Sequence, residues 1–286
     1  HSMLIYRVIT AALLAIALIV LLFGLPKTLF VSSLLFILFA ATWEWSNLAG
    51  YKYTSSKIAF IGVFSIFAFC AVFWLSFTES FNGNRALLSL VFLVLIVCLS
   101  VFLIFSSQNF KNLILNSPPL VTVLGMLVFL ALWIAILTII SFENGRFLLL
   151  FGILIVVLSD VGGYVVGKLF GRNKLAPKIS PGKTWEGLAG SCCFSLGLLF
   201  LLGQTNQIFF TSSIVGNQGV IIFLLVMPVV LVSVIGDLFV SVIKRYSGVK
   251  DTGHILPGHG GMLDRIDGLM LAIPVFALLI SVLGFV

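Results

Sequence analysis

Charge is what this sequence has least of. Only 9% of its 286 residues are charged, and nine in all are Asp or Glu. Soluble domains carry about a quarter charged residues. A chain that is 61% hydrophobic with so little charge cannot clothe itself in water-compatible surface, which excludes an ordinary soluble globular protein. Histidine and cysteine are scarce too, at 3 and 4 residues. Cys70, Cys98, Cys192 and Cys193 lie inside apolar runs with no C-x-x-C spacing. Neither a disulfide framework nor a zinc site is expected of them, only helix packing. His254 and His259 have no helical ligand spacing either. Internal repeats and low-complexity segments are absent, and an inverted repeat would be the mark of many transporters.

What fills the chain is a series of apolar runs near 20 residues, the length a helix needs to cross hydrocarbon. Nine are found, at 4–25, 28–49, 58–78, 86–106, 119–141, 147–167, 187–203, 219–243 and 262–286. The seventh is short and contains glycine; the eighth is long and carries Pro228, where a kink is expected. The expected fold is therefore all-α, a polytopic transmembrane bundle of about nine spans. His1-Ser2 ahead of Met3 reads as an expression remnant, and Leu4–Phe23 as a membrane helix rather than a cleaved signal. Residues 3–141 form an N-terminal set of membrane helices. Residues 142–286 form a C-terminal catalytic region with two long connections, 168–186 and 244–261.

Basic residues orient such a bundle, because cytoplasmic connections hold the excess of Lys and Arg. With the N-terminus inside, the inner face receives Arg7, Lys52, Lys57, Lys111, Lys168, Arg172, Lys174, Lys178, Lys183, Lys244, Arg245, Lys250 and Arg265. The outer face receives Lys27, Arg85 and Arg146. The asymmetry predicts an odd number of spans, and it puts both long connections on the cytoplasmic side.

Acids within membrane spans are costly and point to function. Glu44, Asp160 and Asp237 each precede, by seven or eight residues, a Lys (Lys52, Lys168 or Lys244) at the inner end of a span. At 1.5 Å rise per residue they lie about 10–12 Å below the cytoplasmic edge. Asp264 and Asp267 open the last helix from the same side, at i, i+3 on one face. Five carboxylates can thus converge in one inward-facing cavity. Glu44, between Trp43 and Trp45, is read equally well as an interfacial polar residue. Asp264 and Asp267 alone could be a solvated helix start favoured by the dipole.

Context favours chemistry. Pro257-Gly258-His259-Gly260-Gly261 leads to a helix N-terminus whose N–H groups can meet phosphate oxygens. Lys244, Arg245, Lys250 and Asp251 precede it. Cations for phosphate, carboxylates for a divalent ion and a glycine loop are the parts of phosphoryl or nucleotidyl transfer. The hard oxygen donors suit Mg²⁺ best, with room for a second cation. His259 reads equally as a phosphate contact or as a turn residue. In the other connection, Gly163, Gly167 and Gly171 allow close helix approach. Ser180-Pro-Gly182-Lys183-Thr184-Trp-Glu186-Gly187 follows, combining a turn, a lysine, a hydroxyl and an acid. It lacks Walker A glycine spacing.

These stretches resemble a known family. Ser241-Val-Ile-Lys244-Arg245, four residues, then Lys250-Asp251-Thr-Gly253-His-Ile-Leu-Pro257-Gly258-His259-Gly260-Gly261-Met-Leu-Asp264-Arg265-Ile-Asp267 is similar to the signature of phosphatidate cytidylyltransferases. Ser159-Asp160 through Tyr164, Gly167 and Gly171 to the SPGKTWEG stretch is similar to that family's second motif. Trp43-Glu44-Trp45 is similar to its early helix. Gly182 and Gly268 depart from the pattern, where lysine and serine are common, and are left out of the expected site.

The resemblance implies attack of phosphatidic acid on the α-phosphorus of CTP, giving CDP-diacylglycerol and pyrophosphate at the inner membrane. It implies metal ligands among Asp237, Asp264 and Asp267, with Asp160 and Glu44 completing the shell. Lys244, Arg245, Lys250 and Arg265 would hold phosphates, with Asp251 beside them. Ser180, Lys183, Thr184 and Glu186, with Gly258, His259, Gly260 and Gly261, would shape the nucleotide pocket. The expected partners are CTP, phosphatidic acid, the bilayer and a second copy of the chain, with no nucleic acid. The competing readings are a transporter of anionic metabolites and a CDP-alcohol phosphotransferase. The latter's DGxxAR…GxxxDxxxD spacing is absent, since Asp264 and Asp267 are three apart.

Overall fold

In lipid every backbone N–H and C=O must find its partner within the chain, so long apolar segments become helices. The computed structural model describes residues 13, 15–78, 84–203, 218–253 and 260–283, and over them the chain is almost wholly helical. The elements are α1 (Ala15–Gly24, ending in a π turn), α2 (Lys27–Leu48), α3 (Thr54–Thr78), α4 (Asn84–Ser106), α5 (Gln108–Leu115), α6 (Pro118–Ser141) and α7 (Gly145–Phe170). Then come β1 (Lys174–Ala176), β2 (Ser180–Thr184), α8 (Trp185–Gly203), α9 (Gln218–Tyr246) and α10 (Leu263–Val282).

Among the described residues seven helices are long and apolar enough to cross a membrane: α2, α3, α4, α6, α7, α9 and α10. The chain is a polytopic helical membrane protein. Two of the nine expected runs fall outside that set. The first corresponds to α1, which is shorter, and residues 1–12 and 14 lie outside the described residues. The seventh is α8, short as anticipated. Pro228 lies inside α9, which remains one continuous helix.

Two connections hold structure that apolar run lengths did not reveal. The segment before α6 contains α5, a two-turn helix with Ser107 as N-cap, its hydroxyl accepting from the Phe110 N–H. The 168–186 connection is shortened, because α7 runs to Phe170, and the remainder folds as an antiparallel hairpin pairing Lys174 with Thr184 and Ala176 with Ser180.

The core gathers on α6, α7, α9 and α10. Phe129, Ile139, Ile155, Val229, Phe276 and Ile280 are buried there, and α2 adds Trp45. Trp45 stacks edge-on to Phe129 and donates its indole N–H to the Val121 carbonyl at 2.9 Å. Trp133 donates likewise to the Ala68 carbonyl at 3.0 Å, joining α6 to α3. Each indole buries its ring and still satisfies its one donor.

The tightest helix pair is α7 with α8, and it carries the glycine run. A Cβ on Gly190 would meet the Val166 side chain at 2.5 Å and the Gly162 carbonyl at 2.7 Å; one on Gly163 would meet Ser191 Oγ at 2.7 Å. At that separation Ser191 Oγ donates to the Ser159 carbonyl at 2.6 Å and Ser195 Oγ to the Ile155 carbonyl at 3.1 Å. Small residues and hydroxyls replace the hydrophobic effect as the glue between helices in lipid.

A Gly190→Val variant is expected to lose about 1–3 kcal/mol by overpacking, read as a lower melting temperature in detergent. Gly197→Ala, whose new methyl meets nothing within 4 Å, should melt no lower than the parent.

Candidate active site

One end of the bundle collects the polar residues. The C-terminal ends of α2, α7 and α9 meet there with the N-terminal ends of α8 and α10, and the β1–β2 hairpin lies across them. Between them is a cavity of about 480 Å³. Its wall includes Asp160 from α7, Ser180, Lys183 and Thr184 from β2, Asp237 and Lys244 from α9, Asp251, and Asp264, Arg265 and Asp267 from α10.

The acids in this wall are held very differently. Asp264 is saturated. One oxygen takes Lys244 Nζ at 2.7 Å; the other accepts the Thr252 N–H at 2.9 Å and the Gly261 N–H at 3.0 Å, and lies 3.1 Å from the Thr252 hydroxyl, whose single proton it shares with Glu44. Its side chain is 7% exposed. Asp237 is 31% exposed, and its carboxylate meets Lys183 Nζ at 2.5 Å on one oxygen and Ser241 Oγ at 3.4 Å on the other. Asp267 accepts the N–H of Gly268 at 2.8 Å. Asp160, Asp237 and Asp267 line the same cavity. Among the described residues no three His, Cys, Asp or Glu side chains form a preformed metal cage.

Glu44 requires a correction. Expected beside a metal, it does not line the cavity, and at 1% exposure it is enclosed in protein. Its Oε2 accepts from the Thr252 hydroxyl and the Leu263 N–H, both at 2.8 Å, and its Oε1 accepts from the Met262 N–H at 3.0 Å. A carboxylate on α2 therefore caps the N-terminus of α10, where unsatisfied N–H groups and the dipole favour negative charge. Close approach at Gly261 makes this possible, since a Cβ there would collide with Thr252 Oγ1 and the Glu44 carboxylate.

Five more residues expected at the site are not among those lining the cavity: Arg245, Lys250, Glu186, Gly260 and Gly261. Arg245 is exposed and directs Nε to the Ile179 carbonyl at 3.4 Å, bracing the hairpin. Lys250 is exposed and does not line the cavity, although Asp251 beside it does. Glu186 accepts the backbone N–H of Asn173 at 3.1 Å and its side-chain amide at 2.9 Å, closing the base of the hairpin. It precedes the apolar run that starts at Gly187. Backbone N–H groups, its own first and then those of Asn173 and Arg172, hold its carboxyl below the ordinary glutamate value.

Thr184 is at the wall and also structural: its buried hydroxyl accepts the Gly187 N–H at 3.0 Å and starts α8. Gly260, at φ 82°, and Gly261 shape the turn into α10. Gly258 and His259 lie outside the described residues.

Sequence reasoning left out Ser159, Ser191, Leu175, Val234 and Gly182, all of which line the cavity, and Thr252, which joins Glu44 to Asp264. Thr252 stands inside the motif that was recognised. The apolar wall residues carry no signal that distinguishes them from lipid-facing ones.

A helical bundle with a polar cavity at one end, walled by carboxylates and ammonium groups, defines an integral-membrane protein with a charged cavity at its helix ends. Comparison with known proteins narrows it. A model of the cytidylyltransferase family matches residues 5–283. The phosphatidate cytidylyltransferase of Pseudomonas aeruginosa is 34% identical over 252 residues, 85% of this chain and 84% of that protein. That of Haemophilus influenzae is 44% identical over 135 residues, 47% of this chain and 46% of its own length. That of Mycobacterium tuberculosis is 42% identical over 150 residues, 50% of this chain and 43% of its own. The chain thus matches about half the length of the Haemophilus and Mycobacterium relatives. It belongs to the cytidylyltransferase family.

A Glu44→Ala variant is expected to lose about 3 kcal/mol of stability, because three buried donors lose one acceptor. Thermal unfolding in detergent measures this; unchanged melting would show that Glu44 does not anchor α10.

Proposed function

We propose that this protein is a CTP:phosphatidate cytidylyltransferase. An oxygen of the phosphatidic acid phosphate attacks the α-phosphorus of CTP. The bond from that phosphorus to the oxygen bridging to the β-phosphate breaks, and pyrophosphate leaves with the electron pair, giving CDP-diacylglycerol. The observation that carries this reading is the cavity at the helix ends, where lysines and carboxylates share one wall. The names of the relatives, given above, agree with it.

The site's problem is electrostatic: two anions must be brought together and a third expelled. Lys183, Lys244 and Arg265 supply positive charge for the phosphates, and in a partly desolvated cavity such charges count for more than in water. Alignment of the attacking oxygen, phosphorus and leaving oxygen is most of the remaining work, and this transfer needs no covalent enzyme intermediate.

The carboxylates fit a divalent cation. Mg²⁺ is held by one or two carboxylates and completes its shell with water and substrate phosphates, which suits a wall with no preformed cage. Asp237 and Asp267, with Asp160 beside them, would hold it, while Asp264 is already spent on Lys244 and the loop. Once bound, the ion would offset charge on the triphosphate and the leaving pyrophosphate.

The same reading places the cavity on the cytoplasmic side of the inner membrane, where CTP is available and where the basic residues collect under the positive-inside rule. A homodimer belongs to this reading through the family resemblance.

Pyrophosphate release measured in detergent should require CTP, phosphatidic acid and Mg²⁺ together, and excess EDTA should abolish it. Release without phosphatidic acid, or none at all, would overturn the proposal. Asp267→Asn should lower turnover by about 100-fold or more with an unchanged melting temperature. Near-normal turnover would remove Asp267 from the cation site.

A further inference from the structure

Two ion pairs among the described residues of the cavity differ in one decisive respect. In Lys244–Asp264 the carboxylate is saturated by Thr252 and Gly261, so the pair is welded into the loop. In Lys183–Asp237 the carboxylate has, among the described residues, a long contact from Ser241 besides the lysine, and both side chains remain partly exposed, at 22% and 31%. Lys183 also reaches the Val234 carbonyl at 3.3 Å, one residue row along α9 from Asp237. It is carried on β2, beside Gly182, around whose Cβ position nothing lies within 4 Å. The lysine is therefore a cation seated on a carboxylate of the proposed metal set, held by an exchangeable bond, on an element with space beside it.

We infer that Lys183 is a displaceable counter-ion: it neutralises Asp237 until a divalent cation takes that carboxylate, and is then released to the phosphates of the nucleotide arriving with the cation. This rests on the proposed function and deepens it, because it makes cation and nucleoside triphosphate bind cooperatively. Two cations compete for one carboxylate, so the lysine weakens cation binding when no nucleotide is present. A triphosphate gives the displaced ammonium a new anionic partner, so it removes that penalty. Any such coupling is reciprocal between the two ligands.

The test uses Mn²⁺ as probe, its free concentration followed by electron paramagnetic resonance over the whole protein in detergent, with and without CTP. Lys183→Met should bind Mn²⁺ alone about two- to fivefold more tightly than the parent, the range expected for removing a partly exposed competing ion pair. CTP should then tighten Mn²⁺ binding less in the variant than in the parent. Lys183→Arg, which keeps a competing cation, should resemble the parent. Lys178→Met removes the same charge from an exposed position on the hairpin away from the cavity, and should leave Mn²⁺ affinity near the parental value.

Equal or weaker Mn²⁺ binding by Lys183→Met in a protein that melts normally would overturn the inference while leaving the proposed function standing. The same holds if Lys178→Met tightens binding equally, since general charge would then explain the effect. Absence of Mn²⁺ binding in every variant, with or without CTP, would overturn the cation site itself and the inference with it.

Discussion

The arrangement of the active end depends on one buried carboxylate. Glu44 comes from α2, more than 200 residues away in sequence from the loop it holds. A buried charge without partners would cost several kcal/mol, and this one is matched by three donors. Two of those donors are the N–H groups of Met262 and Leu263, where α10 begins, and the third is the Thr252 hydroxyl, which also lies beside Asp264. The same contacts set where α10 begins, which way Asp264 and Asp267 face, and how close the loop lies to α2. Ser247 Oγ, donating to the Leu48 carbonyl at 2.8 Å, ties the end of α9 to the end of α2 beside it.

Around that anchor the cavity works by balanced charge. Lys244 and Asp264 neutralise one another within a saturated network, which keeps a lysine at the wall without leaving it dependent on ligand. Lys183 and Asp237 neutralise one another loosely. A polar site at the edge of a bilayer must be stable when empty and must also accept highly charged ligands. One fixed pair and one exchangeable pair meet both demands, because the first has its partners within the chain and the second is held by fewer contacts.

The close α7–α8 contact supports this from beneath. The glycines that bring the helices together also bring Ser159 against Ser191 and the end of α7 against Thr184, the last residue of β2, so helix packing and cavity shape share residues. Val substitutions in this seam would therefore act on the cavity as well as on the fold, whereas the lipid-facing sides of α3 and α4 are free to vary within their apolar character.

Much of this was legible without coordinates. Apolar run length located the membrane helices, since a bilayer allows few other structures, and the scarcity of acids made Asp160, Asp237, Asp264 and Asp267 conspicuous. Spacing from the basic residues put them at one depth. Other features have no local signature. The hairpin at 174–184 is too short and too polar for periodicity to declare it, and the two turns of α5 are hidden in a connection. Glu44 shows the limit best: its sequence context marks an intramembrane acid, and an acid meant for a cation reads identically to one meant for backbone amides. Hydrophobicity and charge are properties of single residues, so sequence alone determined the bundle and its charged inventory. Which donor each carboxylate meets depends on residues hundreds of positions apart, and only tertiary packing decided that.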